Sequence, residues 1–163
     1  MRLFRLFLIL TIAASLPACS KFIRYNGPEV TRVLVYKDTR RMYLMHDDQV
    51  LRSYNIGLGF EPEGDKEERG DGRTPEGNYT INRRNPNSEF YLSLGISYPD
   101  NNDRVGAREA GVDPGGDIFI HGRPKKYQNG KQDWTAGCIA VTNKEMRHVY
   151  AMVKDGTVIS IYP

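Results

Sequence analysis

The chain is poor in cysteine and tryptophan, with two cysteines and one tryptophan in 163 residues. A scaffold stapled by several disulfides is therefore excluded. Long apolar runs are also missing. The apolar stretch Leu6–Leu16 falls well short of the ~20 residues that a membrane-crossing helix needs. No segment repeats at a fixed period, which rules out solenoids and propellers. Charge of one sign is scarce too, the formal net charge being +3. Arg40-Arg41, Arg83-Arg84 and Lys125-Lys126 are isolated pairs rather than a basic patch, so nucleic acid is not an expected partner. Histidine is limited to three residues, and Asp100 and Asp103 do not sit in an EF-hand loop, so no metal or other cofactor is expected.

What is present begins with an export signal. Arg2 and Arg5 precede the apolar stretch Leu6–Leu16, and the sequence LPACS follows. Leu16 and Ala18 before Cys19 resemble the lipobox of bacterial lipoproteins. Residues 1–18 are read as the signal, Cys19 as the lipidated residue and 19–29 as a tether. Ser20 after the cysteine points to the outer membrane facing the periplasm. Loss of residues 1–18 removes Arg2 and Arg5 and lowers the net charge from +3 to +1. Cys138 is then the one thiol left in an oxidising compartment. An unpaired cysteine there is either buried or used.

The remainder, 30–163, reads as one mostly β domain with one or two short helices. Alternating or β-branched runs predict strands over 31–37, 41–46, 50–59, 74–85, 90–97, 118–122, 138–142 and 157–162. The charged segment 61–72 has no apolar anchor and reads as a mobile solvated loop. The segment 98–111 is polar, with room for a short helix. Thr142 with Glu145 three residues later forms a capping box that opens a helix, and Gly156 is its expected stop.

Two of these strand ends carry chemistry. "IFIHG" ends a strand at His121, and "TAGC" enters one at Cys138. If the strands are neighbours, thiol and imidazole meet at one edge of the sheet, as a nucleophile and its base must. A nearby imidazolium stabilises the thiolate, the thiolate attacks a carbonyl, and the imidazolium then protonates the leaving amine. Gly137 and Cys138 N–H groups, with the Thr135 hydroxyl, are candidates for the oxyanion. His46 lies far away, and His148 reads as a surface residue on the last helix. A zinc site would need a third ligand that the sequence does not offer.

"IHG" with "TAGCIAVTN", "GDGRTPEGNYTI" and "YLSLGISYP" together resemble the L,D-transpeptidases with a YkuD (ErfK/YbiS) domain. The resemblance spans about residues 30–162. It implies a β-sandwich with Cys138 as nucleophile and His121 as base, the Gly122 carbonyl orienting the imidazole. It implies attack on a peptidoglycan stem tetrapeptide and release of D-alanine. The acyl group then passes to an amine, making a 3-3 cross-link or attaching a lipoprotein to the wall. Arg123, Trp134 and Tyr98 are candidates for substrate contact. Many members carry His at the place of Ala136 and Arg at the place of Ala140, so Arg123 is the candidate for the missing positive charge. Papain-like and NlpC/P60 peptidases place the cysteine first and on a helix, and sortases separate the pair more widely. A hydrolase on the same fold and a non-catalytic wall-binding lipoprotein remain as alternatives.

Overall fold

The computed structural model describes residues 20–124, 127 and 132–163. The expected export signal, Cys19 and the Lys125-Lys126 pair lie outside them. Among the described residues eight strands form in chain order: β1 (Arg32–Tyr36), β2 (Arg41–His46), β3 (Gln49–Asn55), β4 (Gly77–Asn85), β5 (Ser93–Ile96), β6 (Phe119–His121), β7 (Ile139–Ala140) and β8 (Val158–Tyr162). Helix α1 (Asn101–Ala110) lies between β5 and β6, and α2 (Asn143–Met152) between β7 and β8.

The strands make one sheet in the order β3-β2-β1-β8-β4-β5-β6-β7. The β1–β8 and β6–β7 pairs are parallel and the others antiparallel. In β1 the alternation is plain: Val33 and Val35 face inward, while Arg32 and Tyr36 face out. β5 is buried on both faces and reads as a continuous run. The pairing register of β4 shifts between Ile81 and Arg83. Such irregularities bend a strand, and here β4 passes from one half of the sheet to the other. The far edges then meet, because Gly57 and Ala140 exchange two backbone hydrogen bonds of 2.8 Å each. The sheet thus curls into two layers. Val33, Leu44, Ile81, Leu94, Ile120, Ile139, Met146 and Ile159 fill the interior between them.

Both helices begin with reciprocal capping boxes, Asp100 with Asp103 in α1 and Thr142 with Glu145 in α2. α2 does not end at Gly156 as the sequence suggests. It ends at Val153, which turns extended and is fully buried. The core takes that side chain, and Gly156 instead occupies a tight turn at φ 85° that donates to the Ile81 carbonyl. Nor does the third strand reach residue 59. Beyond Asn55 the chain keeps only isolated bridges, Gly57 to Ala140 and Gly59 to Thr135.

The segment 61–72 is also not the unanchored loop that its composition suggests. Its anchors are polar rather than apolar. Lys66 is buried and pairs with Asp71 at 2.7 Å. Asp71 in turn accepts from the backbone N–H groups of Glu67, Glu68 and Arg73. Lys37, also buried, donates to the carbonyls of Gly64 and Thr74 and pairs with Glu76.

Candidate active site

The β6–β7 pair builds the site. Ile120 stands opposite Ile139, and His121 opposite Ala140. Cys138, one residue before β7, therefore falls beside Phe119, on the same face as His121 two residues further along β6. The thiol is held at the strand end. Phe119 N–H donates to Sγ at 3.4 Å, and the thiol reaches the Asp117 carbonyl at 3.6 Å. Cys138 is half-buried and unpaired. Burial pushes its thiol up to about 11, and the Asp117 charge adds to this, while the Phe119 N–H and Lys66 act in the other direction.

His121 is buried, and its Nδ1 lies 2.7 Å from the Gly122 carbonyl. That contact commits the Nδ1 proton and leaves Nε2 as the basic nitrogen. Burial is the main force holding its proton affinity below the usual histidine value, with Arg123 adding to it and the Gly122 carbonyl opposing it. The resting pair is thus a neutral thiol and a neutral imidazole. Three aromatic rings surround the imidazole region. Phe90 lies 4.5 Å from it and Trp134 5.7 Å, with Tyr127 stacked on Trp134 at 4.1 Å.

The loop ahead of Cys138 is tied down at Asp133, Trp134, Thr135 and Gly137. Trp134 and Thr135 N–H groups both donate to the Leu58 carbonyl. Asp133 accepts from Leu58 N–H and pairs with Arg40. The Thr135 hydroxyl donates to the Cys138 carbonyl at 2.7 Å and accepts from Gly137 N–H at 3.2 Å. The Thr135 hydroxyl and Gly137 N–H are therefore spent on the turn, not offered to a ligand as the sequence reading expects. Gly137 has φ 127°, and a Cβ there would lie 2.6 Å from the Arg73 carbonyl oxygen. Only glycine lets the Arg73 backbone approach the residue before Cys138 this closely.

Arg123 and Ala140 line a common cleft of about 670 Å³ with Gln132, Asn143 and Lys144. The Arg123 guanidinium reaches the Tyr127 and Gln132 carbonyls and lies 6.0 Å from the Trp134 ring. Tyr98, by contrast, belongs to the core. It is buried, its hydroxyl donates to the Pro114 carbonyl, and its ring meets Tyr79 edge-on. His46 is engaged with the Glu29 carbonyl, away from the site. Among the described residues, no cluster of His, Cys, Asp or Glu is arranged to hold a metal ion. Sequence reasoning missed Phe90, because nothing local announces that residue 90 will face residue 121.

The sequence profile of the YkuD family, described as the L,D-transpeptidase catalytic domain, matches residues 30–161. This chain belongs to that family. YafK of Escherichia coli (strain K12), provisionally named as an L,D-transpeptidase, is 28% identical over 144 residues, covering 80% of this chain and 53% of YafK. YqjB of Bacillus subtilis (strain 168), provisionally named in the same way, is 29% identical over 135 residues, covering 79% of this chain and 69% of YqjB. Among solved structures, the helical cell shape determining protein Pgp2 of Campylobacter jejuni superposes with a TM-score of 0.65. It is 29% identical, covering 84% of this chain and 49% of Pgp2. The chain spans about half the length of YafK and of Pgp2. The YkuD match begins at Val30 and ends at Ile161, so it contains the whole β6–β7 site.

Proposed function

We propose that this chain is a cysteine-dependent acyltransferase of the cell wall, with Cys138 as nucleophile and His121 as its base. The observation that carries this reading is the β6–β7 pairing. It sets thiol and imidazole on one face, with the imidazole Nδ1 committed to Gly122 and Nε2 free to accept a proton. The substrate is a peptidoglycan stem tetrapeptide.

Cys138 Sγ attacks the carbonyl carbon of the residue before the terminal D-alanine, while the thiol proton passes to His121 Nε2. The neutral resting pair favours transfer of the proton during attack over a standing ion pair. The Cys138 N–H holds the oxyanion, since the Gly137 N–H is engaged by Thr135. The C–N bond then breaks, the imidazolium protonates the departing amine, and a thioester on Sγ remains. An amine acceptor attacks the thioester, gives its proton to His121 and regenerates the thiol. The acceptor is a neighbouring stem peptide or a lipoprotein side chain. Arg123, beside Ala140 in the cleft, supplies the positive charge for a substrate carboxylate. The family membership and the cell-shape role in the name of Pgp2 both support a wall substrate.

The test is product analysis. Disaccharide tetrapeptides incubated with the mature protein should yield 3-3 dimers and free D-alanine. Tripeptides without dimers would make water the acceptor and the chain a hydrolase. Unchanged tetrapeptides would contradict the reading. Export and anchoring are part of the same proposal. Replacing Cys19 by Ala should release the protein from the membrane into the soluble periplasm, and equal membrane association of both forms would oppose a lipid anchor.

A further inference from the structure

The segment before β5 contains a strained residue that no packing rule of the strand requires. Tyr91 sits at φ 79°, a region that side chains other than glycine rarely adopt. The Leu92 N–H donates to the Phe90 carbonyl at 3.1 Å, so the chain reverses over three residues. Such turns with positive φ are rare and strained. Strain of this kind costs on the order of 1–3 kcal/mol and persists only where the surroundings enforce it. The surroundings here are the site. The Ser88 carbonyl accepts from Tyr91 N–H, and Ser88 Oγ from Phe90 N–H. Gly122, beside His121, packs against the Phe90 carbonyl so closely that a Cβ would lie 2.7 Å from it. The product of this geometry is the position of one ring. Phe90 lies 4.5 Å from the imidazole of His121 at an interplanar angle of 31°, and Trp134 closes another side at 5.7 Å.

We propose that Phe90 is a positioning residue for His121, delivered by the strained turn at Tyr91 to fix the imidazole plane and exclude water from it. This inference rests on the reading of His121 as the base. The Gly122 carbonyl fixes which nitrogen carries the proton, but a single hydrogen bond leaves the ring free to swing about it. The Phe90 face removes that freedom. Burial under two rings also accounts for the depressed proton affinity of His121. Among the described residues, the titratable and charged groups around the imidazole are few. Arg123 is the charged neighbour along the chain, and Cys138 stands on the adjoining strand. Glu89, next to Phe90, is exposed, and Asp133, next to Trp134, is paired with Arg40.

The test reads the imidazole itself. His121 is titrated by NMR in the wild-type protein and in the Phe90→Ala, Phe90→Leu and Phe90→Tyr variants. Phe90→Ala should move the His121 titration upward towards the ordinary histidine value. It should also lower kcat/KM by about 10- to 100-fold, the scale for a misplaced catalytic group. Phe90→Tyr keeps the ring and should restore both. Phe90→Leu keeps bulk without the flat face and should restore neither fully, and it serves if the alanine variant does not fold. An unchanged titration in Phe90→Ala and Phe90→Leu overturns the proposal, as does a shift that Phe90→Tyr fails to reverse. The NMR readout needs no substrate, so its outcome stands apart from whether the chain turns over tetrapeptides.

Discussion

At the scale of single residues, the site depends on where protons rest. On the proposed mechanism His121 must be neutral to accept the Cys138 proton, and burial holds its proton affinity below the usual value of 6.5. The acid limb of kcat/KM against pH should therefore lie below pH 6.5, and a limb above it would contradict the buried neutral base. The same depression acts on stability. Between the folded and unfolded values the unfolded chain binds more protons, so the contribution of His121 to stability falls as pH drops through that window. Gly137 is the second sensitive residue. Replacement by alanine forces a side chain into φ 127° and against the Arg73 carbonyl, and should cost about 1–3 kcal/mol in urea unfolding while displacing Cys138. The meeting of His121 and Cys138 on neighbouring strands was legible in the sequence because each sits at the end of a short apolar strand. Phe90, and the internal use of the Thr135 hydroxyl, were not legible. Both depend on contacts between segments that sequence spacing does not encode.

At the scale of elements, local signals were read well where the physics is local. The capping box at Thr142 and Glu145 opens α2 as expected, and Thr142→Ala should cost about 1 kcal/mol by denaturant titration. The end of α2 was misread because burial of Val153 overrides the glycine signal at 156. The loop 61–72 was misread for a related reason. Its composition suggests solvation, but buried lysines organise it from within. Asp71→Ala strands Lys66 as an unpaired buried charge and should cost about 3–5 kcal/mol. Replacing Lys66 by Met as well should recover much of that loss, since the uncompensated charge is then gone. If Asp71→Ala unfolds at the wild-type urea midpoint, the buried pair does not organise the loop. Arg73, the residue after this segment, packs its carbonyl against Gly137, so the anchored loop leads into a fixed wall beside Cys138.

At the scale of the whole molecule, the mostly β class and the succession of strands along the chain followed from alternating apolar patterns, and the sheet order and its curl did not. Closure comes from the register shift in β4 and the meeting of Gly57 with Ala140, residues far apart in the chain. That closure brings the 132–138 segment against Leu58 and so sets Cys138 beside β6. The account of function rests on one covalent species, a thioester on Cys138. Its most direct test is the intact mass of the protein quenched early in a reaction with stem tetrapeptide. The account predicts an increment equal to the substrate less D-alanine, mapped to the Cys138 peptide and absent in Cys138→Ser. Turnover by Cys138→Ser at the wild-type rate, or an acyl group found on any other residue, would contradict it.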